Sequence, residues 1–150
     1  MAKFIILGII AALILIQFIP VTKTNPAVTN DFDGPADVKA AFQKSCYNCH
    51  SNETVWPWYS HVAPVSWLVA SDVNEARHHF NFSDWGTYSD LKKARIAEGV
   101  GEEVKSGDMP PSTYLIMHSS AKPGQNEKDI IFNWVKAHGG DIPKGDNDED

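Results

Sequence analysis

Cysteine is scarce in this chain, two among 150 residues, and that excludes a disulfide-dense scaffold. Basic residues are outnumbered, with 13 Lys and Arg against 19 Asp and Glu and a net charge of −6. A nucleic-acid binder needs a basic footprint, so that class is excluded. No window alternates apolar and polar residues with period two, so nothing reads as a half-buried strand. No internal repeat is present. At 150 residues there is room for one small domain with appendages, not for two compact ones. The composition, 43% hydrophobic and 21% charged, is ordinary for a folded domain. Long hydrophobic runs are also lacking, with one exception.

That exception is the 16-residue stretch from Phe4 to Ile19 (FIILGIIAALILIQFI), preceded by Lys3 and closed by Pro20. A helix of this length rises roughly 24 Å against a hydrocarbon core about 30 Å thick. The residues after it (QFIPVTK) are bulky where a signal-peptidase site wants small ones, and Ala27 offers only a weak site. The expectation is an uncleaved signal anchor, a transmembrane helix over 1–20. Lys3 then keeps the N-terminus in the cytoplasm. In a bacterial chain the remainder would be a periplasmic domain held on the inner membrane.

Beyond the anchor, Val21 to Asp31 (VTKTNPAVTND) is polar and aperiodic and reads as a tether. Asp33-Gly34-Pro35 is a helix-start signal, and Val38, Phe42 and Cys46 then share one helical face. Further amphipathic stretches run over Pro64 to His79, from about Ser89 to Lys105, and over Asn126 to His138. The last has Asn126 as N-cap, a buried stripe of Ile130, Ile131, Trp134 and Val135, and Gly139-Gly140 as its stop. The tail KGDNDED sets one lysine against four acids, half the net charge, and reads as a solvated, disordered end. The fold class expected is all-α, a small cytochrome c-like domain over 32–140, flanked by the tether at 21–31 and an acidic tail at 141–150.

Cys46-Tyr47-Asn48-Cys49-His50 has the C-x-x-C-H spacing of covalent c-type haem attachment. Two thiols separated by two residues reach the two vinyl groups of a porphyrin, and the following histidine comes under the ring to ligate iron. Three other readings compete. A zinc site lacks a second ligand pair, since His78-His79 substitutes poorly. A redox dithiol expects a βαβ surrounding. A Cys46–Cys49 disulfide closes a small, strained loop.

Met109 sits in a Gly- and Pro-rich loop (KSGDMPP) before the last helix, where its thioether can swing to iron. The bland alternative is a methionine filling a core gap. His61, in an aromatic loop 11 residues after His50, is the rival distal ligand. His78, His79 and His138 stand at helix ends and read as surface or dipole partners, while Met117 and His118 follow Met109 closely. The segment around Trp56-Pro57-Trp58-Tyr59, with Trp67, Phe80, Phe82 and Trp85, reads as rings packed on the porphyrin. Trp56 or Trp58 is placed to donate its indole N–H to a haem propionate.

The chain resembles anchored bacterial monohaem c-type cytochromes of the haem-binding-domain family. The likeness rests on CYNCHSNETVWPWYSHVAPVSW, NFSDW and SGDMPPSTY, covers roughly Phe32 to Gly139, and extends to the anchor ending in IQFIP. It implies one covalent haem c on Cys46 and Cys49, His50 as proximal ligand, Met109 as distal ligand, and a domain facing the periplasm. The chain departs from ordinary small cytochromes c in its longer, tryptophan-rich segment from Val55 to Trp85. A His/Met haem has no open coordination site, so the function expected is single-electron transfer between redox partner proteins, not enzymatic turnover. The alternative is a haem-based sensor or peroxidase-like protein with a displaceable distal ligand, in which His61 moves protons.

Overall fold

The computed structural model describes residues 1–139; Gly140 and the acidic tail at 141–150 lie outside the described residues. Among the described residues all regular structure is helical. In chain order the helices are α1 (Ala2–Leu15), α2 (Ala36–Ser45), α3 (Tyr47–His50), α4 (Val65–His79), α5 (Asp90–Ser106), α6 (Ser112–Leu115) and α7 (Gln125–His138). Short 3-10 turns punctuate them, notably Trp58–His61 and Phe82–Thr87. The three long amphipathic stretches read from sequence appear as α4, α5 and α7 to within a residue or two. Ser89 caps α5, its hydroxyl accepting from the Lys92 amide at 3.3 Å.

The N-cap of α7 is Gly124 and not Asn126, because Glu127 reaches back to take the Gly124 amide at 2.9 Å. An acid at the third helical position satisfies a donor that the first turn leaves open. The same carboxylate also meets Lys44 at the end of α2, which joins the two helices.

The transmembrane expectation is overturned. The apolar run gives a helix of 14 residues, α1, which rises about 21 Å, and no helix among the described residues is long and apolar enough to cross a membrane. It stops early for a local reason. The chain tightens into a 3-10 turn at Ile16–Phe18 and turns extended at Ile19, ahead of Pro20. Gln17 fixes that end to the loop before α4, its amide donating to the Ala63 carbonyl at 3.0 Å and its oxygen accepting the Ala63 amide at 2.9 Å. The single-pass inner-membrane anchor is therefore withdrawn, and the periplasmic placement that depended on it.

Residues 21–31 have no helix or strand and lie strapped along the domain. Arg77 of α4 donates to the Thr24 carbonyl at 2.7 Å and to Asn25 Oδ1 at 3.1 Å. Lys23 donates to the Ser60 carbonyl at 2.8 Å, and Asn25 donates to the Thr54 carbonyl at 2.8 Å.

The core is aromatic and closes on itself where α2, α5 and α7 meet. Phe32 stands edge-on to Phe42, Phe82, Trp85 and Trp134, with ring centroids 5.2–5.7 Å apart. Such edge-to-face pairs add to the burial energy of the rings. From α7, Ile131 and Trp134 are buried, with Ile130 and Val135 packed partly against the cluster. Helices α5 and α7 approach closely at Gly101, where a Cβ would stand 2.9 Å from Val135 Cγ1. The sequence led us to expect that a porphyrin would supply much of the core. Phe82 and Trp85 belong instead to this protein-only cluster.

Candidate haem site

Helix α2 ends at Ser45, and Cys46 leaves the helical path with φ −122° and ψ −36°. The chain at once forms the single turn α3, in which the Cys46 carbonyl accepts the amides of both Cys49 (3.1 Å) and His50 (2.9 Å). The two residues between the cysteines divide their work. Tyr47 turns into the core, 4% exposed and stacked on Phe82 at 4.9 Å, with its hydroxyl donating to Asp31 at 3.0 Å. Asn48 turns the other way and donates to the Tyr114 hydroxyl at 2.7 Å. The motif is thus held from both sides.

Both thiols are free. Burial pushes the Cys46 thiol up to about 12, helped by the neighbouring Cys49. Burial also raises Cys49 to about 11, with Asp72 reinforcing and Arg77 opposing. Reactive redox dithiols need thiols lowered toward neutrality, so the thioredoxin-type reading finds no support. Nor does the zinc reading: among the described residues no three His, Cys, Asp or Glu side chains gather as a metal site.

The His50 ring is held in place by Phe80. It stacks on the Phe80 ring with centroids 4.1 Å apart and planes 13° from parallel, and Nδ1 lies 3.3 Å from the Phe80 carbonyl. A carbonyl only accepts, so Nδ1 carries the hydrogen and Nε2 the lone pair. Orientation of a ligating histidine through its other nitrogen is the usual outer-shell device. Burial lowers the pKa of His50 and favours this neutral form, although the Phe80 and Ala76 carbonyls pull the other way. Phe80 was legible only as one aromatic among many; that its backbone oxygen orients His50 was not.

The loop carrying Met109 is launched by Gly107, at φ +85° in the left-handed region where glycine is favoured. There the amides of Gly107, Asp108 and Met109 all converge on the Glu103 carbonyl at 3.1–3.3 Å. Met109 itself is 40% exposed and not a core filler. The loop leads into α6, which the Asn48–Tyr114 bond ties to the attachment motif.

His61 stands elsewhere. It is exposed, its Nδ1 accepts from Lys23 Nζ at 2.7 Å, and it lines a cleft with Gln17, Ile19, Pro20, Ala63 and Ser66 that contains none of the other predicted ligands. His78 and His79 are exposed in the last turn of α4, and His138 stacks on Trp134 at the end of α7. His118 is different, with its ring stacked on Tyr114 and its Nδ1 3.2 Å from the Tyr59 hydroxyl.

The residues that carried the sequence resemblance are bonded to one another. Asn81 donates to Asn52 at 2.9 Å and accepts from the Ser83 amide at 3.0 Å, and Ser83 Oγ accepts from the Asn52 amide at 2.9 Å. Arg77 adds a bond to the Ser51 carbonyl at 2.8 Å. No motif pointed to Arg77.

The donor set and the exposed apolar side chains are compatible with a haem. Val55, 72% exposed, follows the motif with its amide on Asn48 Oδ1, and Trp58, also 72% exposed, lies against Tyr59. Ile116 and Met117, beside His118, are likewise exposed, at 78% and 57%. These are apolar side chains that a flat apolar ring would cover. The Trp67 indole N–H is buried without an acceptor, the environment in which a propionate would complete a hydrogen bond. Trp56 has no such need, since its indole donates to Asn25 at 3.2 Å.

No curated protein and no solved structure gives a significant match to the chain. A family model, that of the haem-binding domain, does match, over residues 11–137. That match covers most of the chain and establishes that it belongs to the haem-binding domain family.

Proposed function

We propose that this protein is a monohaem c-type cytochrome that carries single electrons between protein partners. Cys46 and Cys49 would hold the haem through thioethers, and His50 and Met109 would ligate its iron. The haem supplies the Fe(III)/Fe(II) couple. The observation that carries this reading is His50, which follows the cysteine pair directly and is oriented by the Phe80 carbonyl with Nε2 left to coordinate.

The chain's own residues do the rest. Phe80 fixes the ring plane of His50 by stacking, and Tyr47 locks the attachment turn to the aromatic core. The Glu103 carbonyl sets the direction in which Met109 leaves α5. A thioether opposite an imidazole raises the potential relative to two imidazoles. The net charge of −6 favours partners with a basic docking patch and a salt-dependent association rate. The protein is a carrier and has no substrate of its own. The sensor or peroxidase-like alternative needs a displaceable distal ligand, with a base such as His61 beside it, and the Nδ1 of His61 accepts from Lys23.

Met109→Ala tests the distal assignment. The ferric protein should lose its thioether-to-iron charge-transfer band, and the potential should fall by a sizeable part of the roughly 0.8 V range that axial ligands span. An unchanged band and potential would remove Met109 from the iron.

A further inference from the structure

His50 and His118 are built alike. The His50 ring lies 4.1 Å from Phe80 at 13°, with Nδ1 3.3 Å from the Phe80 carbonyl. The His118 ring lies 4.3 Å from Tyr114 at 10°, with Nδ1 3.3 Å from the Tyr114 carbonyl. The second neighbour of the His118 Nδ1 is the Tyr59 hydroxyl at 3.2 Å, which can accept from it or donate to it. The Tyr114 carbonyl only accepts and favours the tautomer with hydrogen on Nδ1, which leaves the lone pair on Nε2 in His118 as in His50. Among the six histidines of the chain, His61 is bonded through Nδ1 to a lysine and His78 and His79 are exposed at a helix end; His138 repeats the arrangement, stacked on Trp134 with Nδ1 2.9 Å from its carbonyl, but on a ring of the aromatic core cluster.

His118 is also tied to the attachment motif. Tyr114, on which it stacks, takes the hydrogen bond from Asn48, the residue immediately before Cys49. Burial pushes the Tyr59 and Tyr114 hydroxyls up, and the Cys49 sulfur acts electrostatically on both. Met109 and His118 flank the same short element, α6, one entering it through Pro110-Pro111 and the other leaving it.

We propose that His118 is a second ligand residue for the sixth position of the haem iron, in competition with Met109. This rests on the reading of the chain as a c-type cytochrome. The exchange moves no electron: the Met109 sulfur gives up its bond and the His118 Nε2 lone pair takes its place. Imidazole in place of thioether lowers the potential, so the identity of the sixth ligand sets two operating levels for one carrier.

The test uses the full chain matured with covalent haem, in four forms: the natural sequence, Met109→Ala, His118→Gln, and both together. Ferric absorption and electron paramagnetic resonance spectra are recorded, with circular dichroism to verify the helices. His118→Gln alone should keep the thioether charge-transfer band. Met109→Ala should lose that band yet remain low-spin with the signature of two imidazoles, and the double variant should become high-spin. A Met109→Ala protein that is high-spin at once overturns the proposal, as does a double variant that still shows two imidazoles. If the double variant does not mature, hyperfine spectra of Met109→Ala made with isotope-labelled histidine decide: two coordinated histidine nitrogens are expected, and one overturns it. A natural protein without a thioether band, whose His118→Gln form turns high-spin, would remove Met109 and keep His118 on the iron. A chain that takes up no haem would overturn the parent reading and this one with it.

Discussion

Phe42 and Trp58 are both large aromatic residues close to the same attachment motif, and they live in opposite surroundings. Phe42 is fully buried and meets Phe32, Phe82 and Trp134 at centroid distances of 4.8–5.4 Å. Trp58 is 72% exposed, its ring paired with Tyr59 at 5.8 Å. The first belongs to a core that the protein completes by itself. The second belongs to a surface whose apolar and ligand-bearing groups make sense around a haem. On the proposed function, stability and function would be separated across the single turn α3, with Tyr47 facing one side and Asn48 the other.

Substitutions can pull the two regions apart. The largest effect should come from Cys46→Ser with Cys49→Ser, which removes both attachment points: covalent haem should be lost completely. The helical circular dichroism of α2, α5 and α7 should persist, because their aromatic cluster does not use the thiols. Phe42→Ala should do the reverse and destabilise folding by about 3–5 kcal/mol, read by denaturant titration. The haem spectrum of the remaining folded fraction should stay unchanged. Gly101→Val should cost roughly 1–3 kcal/mol by forcing α5 off Val135, a smaller loss on the core side alone. Smallest of all, His61→Ala should change stability by no more than about 0.5 kcal/mol and leave the spectrum as it was. A high-spin His61→Ala protein would return His61 to the iron and erase the division.

The two regions were also unequally legible in the sequence. The long helices could be read because their apolar spacing is local: Val38 and Phe42, or Ile131 and Trp134, mark a face with no knowledge of the rest. The proposed attachment residues stand out in the sequence because C-x-x-C-H confines its chemistry to five consecutive positions. The apolar run misled, since hydropathy counts residues but does not reveal that Gln17 would clasp Ala63 and end the helix at Leu15. Contacts between distant segments were invisible for the same reason. Nothing in the local pattern around Phe80 says that its carbonyl meets His50, 30 residues away. Nothing around Asn48 says that it holds Tyr114, 66 residues away. Two tryptophans divided in the same manner: Trp85 entered the core and Trp58 stayed exposed, and only packing could tell them apart.

The central claim is that a haem is bound covalently at Cys46 and Cys49. Its most direct test is the mass of the chain after maturation with c-type assembly factors, measured under denaturing conditions and followed by peptide mapping. The account predicts one haem retained on the unfolded chain and located on the peptide containing Cys46-Tyr47-Asn48-Cys49-His50. A chain at its bare polypeptide mass, with haem released on unfolding or never bound, would contradict it.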